Sequence, residues 1–175
     1  MTQHLYILTG GSRGMGLAIA EQLLKLGHTL ICISRNQQAS LTELAQKSGA
    51  TLAQWSHDLA DGAAASKALL TWLQAQKPNE FQSATLINNA GVIPRIGPLS
   101  EADPHNLAMA LRVGLEAPCN CVQPFSEPLK PGPCHAKSSI FPPDLAAVPW
   151  PLNRAIAQPR LEWITSPVAW LWKRL

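Results

Sequence analysis

Short apolar runs alternate with amphipathic segments over the first two thirds of the chain. Each run ends in glycine, serine or another turn-forming or polar residue, which is typical of a buried strand that enters a turn. The four predicted strands cover residues 4–9, 29–34, 51–55 and 84–88. These mostly apolar runs predict buried strands, and right-handed crossovers between them would place helices on both faces of a sheet.

The segments between these strands predict helices. Leucines and alanines recur at helical spacing over residues 17–26, and Gly27 supplies a stop signal. A second helix is predicted over residues 40–48, with Ser40 as its N-cap because Glu43 follows at the capping-box spacing. Further helices are predicted over about residues 61–76 and from Asp103 onward. Alternating strands and helices predict an α/β fold with a doubly wound parallel sheet, similar to a Rossmann fold.

The composition of the chain changes near Pro118. Residues 118–175 contain eleven of the fifteen prolines, three of the four cysteines and four of the six tryptophans. We therefore predict two regions, an α/β half-domain over residues 1–117 and a tail over residues 118–175 without a native fold. On this interpretation the sheet is truncated after about four strands and an irregular C-terminal tail follows.

Charge and composition exclude several classes of function. Residues 1–117 contain eight basic and eight acidic residues and the tail contains six and three, so neither region offers the clustered basic face of a nucleic-acid-binding protein. No apolar run reaches the ~20 residues of a membrane helix. Four unevenly spaced cysteines do not form a disulfide framework, and no secretory leader precedes the first strand, which predicts a cytoplasmic protein. We expect no metal site, because the spacing of the remaining candidate ligands fits no common zinc site. These candidates are Cys119, Cys121, Cys134 and His135.

A glycine-rich turn follows the first predicted strand. Glycines at this place permit a tight turn and let the backbone approach a pyrophosphate, which the N-terminus of the next helix then faces. The predicted cofactor-binding residues of the turn are Thr9, Gly10, Ser12, Arg13, Gly14, Met15 and Gly16.

Three further predicted contacts follow the other strands. Ser34 and Arg35 end the second strand, where an acidic side chain would bind a ribose 2′-hydroxyl. A hydroxyl and a guanidinium suit a 2′-phosphate instead, and Arg13 can reach the same group, so NADP is predicted rather than NAD. The remaining predicted contacts are Asp58 and Leu59 beside the adenine, and Asn89, Ala90 and Gly91 beside the adenosine ribose.

Taken in order and spacing, these motifs resemble the N-terminal half of the short-chain dehydrogenases/reductases. The matching segments are TGGSRGMG, Asp58-Leu59, LINNAGV and LRVGLEAP, and NNAGVIPRIGPLSE resembles the branch of sepiapterin and benzil reductases. The resemblance implies hydride transfer between NAD(P)H and a small carbonyl or alcohol substrate. It also implies a tyrosine acid/base, a lysine four residues later and a serine that polarises the substrate oxygen.

None of that catalytic set can be assigned in this chain. Its single tyrosine, Tyr6, lies inside the first strand, and Gly114 stands where many family members have an asparagine. The pair Ser138-Ser139 precedes Phe141-Pro142-Pro143, which cannot continue a central parallel strand. The later helices on which family oligomers are built are not encoded either.

A lost nucleotide near Pro118 is one explanation for the tail. Synonymous codons for residues 137–144, read in the shifted frame, permit V-L-N-I-S-S-G, and those for residues 155–160 permit Y-C-A-A-K. The sequence therefore predicts an NADP-dependent short-chain oxidoreductase by descent that is inactive as this chain. The alternatives are a non-catalytic fragment that binds NADP or a partner, and a frameshift product without function. The polyproline pair Pro128 and Pro131 is weak support for a partner.

Overall fold

The computed structural model describes residues 3–77, 80–94, 96–126 and 135–140. All of them belong to one compact unit, Met1–Leu145, and the second unit, Ala146–Leu175, lies outside the described residues. The polyproline pair and the shifted-frame segment 155–160 also lie outside them. Within the described ranges, no helix is both long enough and apolar enough to cross a bilayer.

The described elements follow the predicted alternation of strands and helices. In chain order they are β1 His4–Thr9, α1 Gly14–Leu23, β2 His28–Ser34, α2 Ala39–Ser48, β3 Thr51–Ser56, α3 Gly62–Ala75, β4 Ser83–Asn88, a 3-10 turn Leu99–Glu101, α4 Pro104–Leu111, a π-helical segment Arg112–Glu116, α5 Ala117–Ser126 and β5 His135–Ile140.

The five described strands form one parallel sheet in the order β3-β2-β1-β4-β5. The chain starts in the middle of the sheet and winds outward in both directions, so the predicted doubly wound α/β fold is confirmed. A fifth strand, β5, extends this sheet beyond the four predicted strands and pairs with β4 from His135 opposite Ser83 to Ile140 opposite Asn88. The strand ends at Ile140, so Pro142 and Pro143 follow it and do not interrupt its hydrogen bonds.

The two faces of the sheet carry separate hydrophobic cores. On one face, Leu8, Leu30 and Cys32 pack with Ala20 of α1 and Leu41 of α2. On the other, the alternate residues of the same strands pack with α3, the π-helical segment and α5: Leu5, Ile7, Ile31, Ile33, Leu86, Leu69, Leu73, Val113, Ala117 and Cys121. The pattern of mostly apolar strands arises because helices cover both faces.

Two predicted helix ends differ from the structure. Helix α2 begins at Ala39 with Gln38 as its N-cap, so the assignment of Ser40 as N-cap was wrong. Helix α1 ends at Leu23, and Gly27, with φ 80°, lies in the turn before β2 rather than directly after the helix. The later helices begin close to the predicted positions, and each has an aspartate as its N-cap: the Asp61 carboxylate accepts from the Ala64 N–H (3.2 Å), and the Asp103 carboxylate accepts from the His105 N–H (3.0 Å).

The change in composition at Pro118 does not interrupt the helix that contains it. The Ala117 N–H donates to the Arg112 carbonyl, five residues back, which widens the helix into a π turn just before the proline. Pro118 is buried, Cys121 is 0% exposed, and the Ser66 hydroxyl of α3 donates to the Asn120 carbonyl at 2.6 Å. The sequence places residues 118–126 in the predicted tail, and in the structure they belong to helix α5, which contacts α3.

Gly114 offers a test of the π-helical segment. A Cβ built on Gly114 has no heavy atom within 4 Å, and its φ is not in the left-handed region. We expect Gly114→Ala to raise the free energy of unfolding by about 0.5–1 kcal/mol, because alanine loses less backbone entropy than glycine on folding. Urea denaturation measures this change. Gly62→Ala is the control: its Cβ would lie 2.8 Å from the Ala117 Cα, so it is expected to destabilise the protein. A destabilised Gly114→Ala variant would contradict the expectation.

Candidate functional site

The glycine-rich turn joins β1 to α1 at the carboxyl edge of the sheet. Gly10 (φ 72°) and Gly14 (φ 54°) adopt left-handed backbone that favours glycine. Arg13 is the extended N-cap of α1, and its side chain makes no capping hydrogen bond. The first backbone N–H groups of α1 are therefore left without a side-chain cap, which is the arrangement that binds anions at helix N-termini.

Close contacts hold the turn against the end of β4. A Cβ on Gly16 would lie 2.5 Å from the Asn89 Nδ2 and would overlap the Gly10 carbonyl oxygen. A Cβ on Gly10 would lie 2.9 Å from the Ala90 Cα. Side chains are thus sterically excluded at Gly10 and Gly16, and this leaves a narrow cradle of backbone in which the turn faces the β4 loop.

Four hydrogen bonds that involve Asn89 and Thr9 stabilise the contact between the glycine-rich turn and the loop after β4. The Asn89 side-chain amide donates to the Thr9 carbonyl (3.1 Å) and to the Gly10 carbonyl (3.2 Å). In return, the Thr9 hydroxyl accepts from the backbone N–H groups of Asn89 and Ala90, both at 3.0 Å. The predicted ribose-contacting residues therefore lie directly beside the turn, and two of them fix its position.

The same edge continues through β2 to β3. The Gly10 N–H donates to the Ile33 carbonyl (2.9 Å), and the His57 N–H donates to the Ser34 carbonyl (3.1 Å). The Ser56 hydroxyl donates to the Arg35 carbonyl at 2.9 Å. The structure thus brings the predicted residues at the ends of all four strands to one continuous edge.

Two guanidinium groups lie at this edge. Arg13 and Arg35 are exposed, and within the described part of the chain neither side chain makes a hydrogen bond or an ion pair. Ser34 is different, because it is 8% exposed and its hydroxyl donates to the Asn36 carbonyl at 2.8 Å. Ser34 therefore shapes the loop that carries Arg35, while the arginines are available to an anion.

Asp58 and Leu59, which follow β3, differ in exposure and in what they contact. Leu59 is 5% exposed and belongs to the core, so it anchors the loop after β3. Asp58 is exposed, and one of its carboxylate oxygens accepts from the Ala60 N–H at 2.9 Å. The other oxygen of Asp58 is available as an acceptor at the same edge of the sheet.

Two glutamines that the sequence analysis did not select also reach this edge. The Gln38 side-chain amide donates to the Ser12 carbonyl at 2.7 Å, within the glycine-rich turn. Gln54 of β3 accepts from the Gln38 N–H (2.8 Å) and donates to the Gln38 carbonyl (2.9 Å). Single glutamines carry no spacing signal in a sequence, because they contribute neither to hydrophobic periodicity nor to a recognised motif.

Several other reactive or polar residues lie away from the edge or are buried. Tyr6 lies in the middle of β1, half-buried, with its ring 4.9 Å from that of His28. Burial raises the pKa of the Cys32 thiol to about 12 and that of Cys121 to about 11, so both thiols stay protonated. Asn88 is 2% exposed, and neither polar atom of its side chain has a hydrogen-bond partner among the described residues. Because of this burial, Asn88 does not join the exposed groups of the edge.

The cysteines of α5 do not approach one another as a ligand pair. Cys119 is exposed and Cys121 is buried, because residues two apart on a helix point in different directions. No group of three His, Cys, Asp or Glu side chains that could hold a metal ion occurs in the described ranges, and Cys134 lies outside them.

Comparison with known proteins identifies relatives for this arrangement. The family model described as short chain dehydrogenase matches residues 4–138. A benzil reductase of Bacillus cereus that forms (S)-benzoin is 32% identical over 124 residues, which is 71% of this chain and 50% of the relative. The corresponding protein of Bacillus subtilis (strain 168) is 34% identical over 123 residues, 70% of this chain and 48% of the relative. The chain thus spans about half the length of these curated relatives.

Solved structures share the fold. A short-chain dehydrogenase/reductase from Burkholderia vietnamiensis is 31% identical with a TM-score of 0.57, over 78% of this chain and 62% of that chain. A metagenomic short-chain oxidoreductase in complex with NADP is 26% identical with a TM-score of 0.62, over 72% of this chain and 56% of that chain.

Proposed function

Because the chain belongs to the short-chain dehydrogenase family, we propose that the carboxyl edge of its sheet binds NADP. The observation that carries this proposal is a pair of exposed arginines at the carboxyl edge: Arg35 directly follows β2, and Arg13 lies in the glycine-rich turn after β1. No acidic residue ends β2, where a carboxylate would bind the ribose hydroxyls of NAD and repel a 2′-phosphate. Structural neighbours in complex with NADP and with NAD support a nicotinamide cofactor at this edge.

The residues of the edge fit the other parts of this cofactor. The uncapped N-terminus of α1 offers backbone N–H groups to the pyrophosphate, and the cradle at Gly10 and Gly16 leaves room for the backbone to approach it. In this proposal Asp58 accepts from the adenine amino group. The backbone of residues 89–91 passes beside the adenosine ribose.

The chemistry of the family suggests the substrate class. When bound, a nicotinamide cofactor supplies or accepts a hydride at a carbonyl or alcohol carbon, and two relatives are named for the reduction of benzil. We propose that the chain descends from a reductase of small carbonyl compounds.

We further propose that this chain binds cofactor without turnover. Its single tyrosine is Tyr6, which lies three residues before the carboxyl end of β1, about 10 Å away along the strand. Its ring contacts His28 on the face that packs against α1 and α2. A tyrosine so placed cannot exchange a proton with a substrate at the carboxyl edge.

A second candidate is a frameshift product that has kept only the cofactor half. The shift in composition at Pro118 and the coverage of about half of the relatives favour it. Sequencing the gene around the codons for residues 117–119 decides this point. A shifted frame that lacks a serine pair and a Tyr-x-x-x-Lys motif would exclude it.

Titration of the full chain with NADPH and NADH, followed by cofactor fluorescence, tests the proposed function. We expect saturable binding of NADPH that is at least about tenfold tighter than binding of NADH, since charge-assisted hydrogen bonds to a phosphate contribute about 1.5–3 kcal/mol. With benzil as substrate, we expect no oxidation of NADPH above background. Turnover would refute the proposed inactivity, and absence of saturable binding would refute the cofactor site itself.

A further inference from the structure

We propose that Gln38 and Gln54 are positioning residues that set the preference for a 2′-phosphate, an inference that rests on the NADP site proposed above. They connect the loop that carries Arg35 to the turn that carries Arg13. Neither glutamine needs to touch the cofactor. Their effect comes from holding the two guanidinium groups at a fixed separation.

The first part of this connection joins β3 to the loop after β2. The Gln54 side chain accepts from the Gln38 N–H at 2.8 Å and donates to the Gln38 carbonyl at 2.9 Å, so one amide group satisfies both backbone groups of one residue. Its nitrogen also donates to the Thr42 hydroxyl at 3.0 Å. Because β3 is part of the sheet, this paired contact fixes the backbone of Gln38 relative to a rigid element.

The second part joins that loop to the glycine-rich turn. The Gln38 side chain donates to the Ser12 carbonyl at 2.7 Å, and Ser12 directly precedes Arg13. Gln38 is half-buried, so water competes less for this hydrogen bond than it would at an exposed site. Use of this side chain in a long-range contact also explains why it makes no capping hydrogen bond to α2.

The positions of Arg13 and Arg35 depend on the contacts of Gln38 and Gln54, whereas the pyrophosphate site does not. The N-terminus of α1 is held by the contacts of Gly16 and Gly10 with Asn89, which involve neither glutamine. Arg13 and Arg35 have long side chains that must both be ordered to bind one phosphate. Loosening of Gln38 therefore raises the cost of binding a 2′-phosphate more than that of binding a pyrophosphate.

The test compares three single variants of the full chain, Gln38→Met, Gln54→Met and Gln46→Met. Methionine keeps the length and flexibility of glutamine but cannot donate a hydrogen bond. Gln46 is the control, because it is exposed on the same helix α2 and its side chain makes no hydrogen bond in the described part of the chain. Urea denaturation of each variant shows whether it is folded.

We expect Gln38→Met to raise the NADPH dissociation constant about fivefold and the NADH constant less than about twofold, which is the size of effect that one shielded hydrogen bond has. Gln54→Met is expected to act in the same direction, and Gln46→Met to leave both constants unchanged. The ratio of the two constants is the decisive readout, because a merely structural role would weaken both cofactors equally.

Amide hydrogen exchange without cofactor separates this inference from the proposed function. We expect residues 10–13 to exchange faster in Gln38→Met than in Gln46→Met. If the unsubstituted chain does not bind NADPH, the proposed function and the assigned preference fail together, while exchange still reports whether Gln38 holds the turn. Equal exchange in the two variants, or an unchanged ratio of dissociation constants, would overturn the inference.

Discussion

Gly16→Ala is expected to lower the affinity for NADPH by about 100-fold or more, because a displacement of about 1 Å at a binding group can cost that much. The added Cβ would lie 2.5 Å from the Asn89 Nδ2 and would overlap the Gly10 carbonyl oxygen, which is backbone and cannot rotate away. The turn must move away from β4, and the hydrogen bonds from Asn89 to Thr9 and Gly10 are then lost. Fluorescence titration with NADPH measures the loss.

The same change is expected to cost about 3 kcal/mol of folding free energy, at the upper end of the range for overpacked sites. Gly14→Ala is the matched control. A Cβ on Gly14 has no heavy atom within 4 Å, and only its φ of 54° disfavours a side chain, so we expect a cost of about 1 kcal/mol and retained binding. If Gly16→Ala binds NADPH as tightly as Gly14→Ala does, the cradle at Gly16 has no role in binding.

The first four strands were predictable because helices cover the sheet on both faces. Ile7, Ile31 and Leu86 face one core while Leu8 and Leu30 face the other, so β1, β2 and β4 are mostly apolar and stand out in the sequence. The same fold also explains why the predicted cofactor-binding residues lie together at the carboxyl edge of the sheet. In a parallel sheet, the residues after each strand meet at the carboxyl edge.

The region after Pro118 was not predictable in the same way. Its prolines and cysteines indicated a tail, yet the π turn before Pro118 removes the need for the N–H that proline lacks. A widened turn of this kind depends on packing, here of Ala117 and Cys121 against α3, and packing is not visible in a local pattern. Strand β5 was missed because the prolines that follow it were treated as part of it.

Parts of the site also depend on contacts between distant residues. The bond from Gln38 to Ser12 spans 26 positions, and the bond from Asn89 to Gly10 spans 79. The sequence indicated that Ser34 would bind phosphate, whereas its hydroxyl in the structure donates to Asn36. Residue type suggests which chemistry a side chain offers, and the surrounding fold decides where its hydrogen bonds go.

Arg35→Asp is expected to reverse the cofactor preference. The change removes one of the two exposed arginines of the carboxyl edge and places a carboxylate directly after β2, where it repels a 2′-phosphate but accepts from ribose hydroxyls. Loss of charge-assisted hydrogen bonds of about 1.5–3 kcal/mol, with repulsion added, is expected to raise the NADPH dissociation constant about 100-fold. The NADH constant should stay the same or fall. Titration of both cofactors at low and high salt measures these constants.

The control for charge is Lys25→Asp. Lys25 is exposed in the connection between α1 and β2, at the amino end of the strands, so its substitution changes the net charge equally but far from the carboxyl edge. Its effect on NADPH is expected to be less than about twofold, because salt screens charges that lie more than ~10 Å apart in solvent. An equal loss of NADPH and NADH binding in Arg35→Asp would mean that Arg35 does not contact the 2′-phosphate. An equal loss of NADPH binding in both variants would instead indicate an effect of net charge alone.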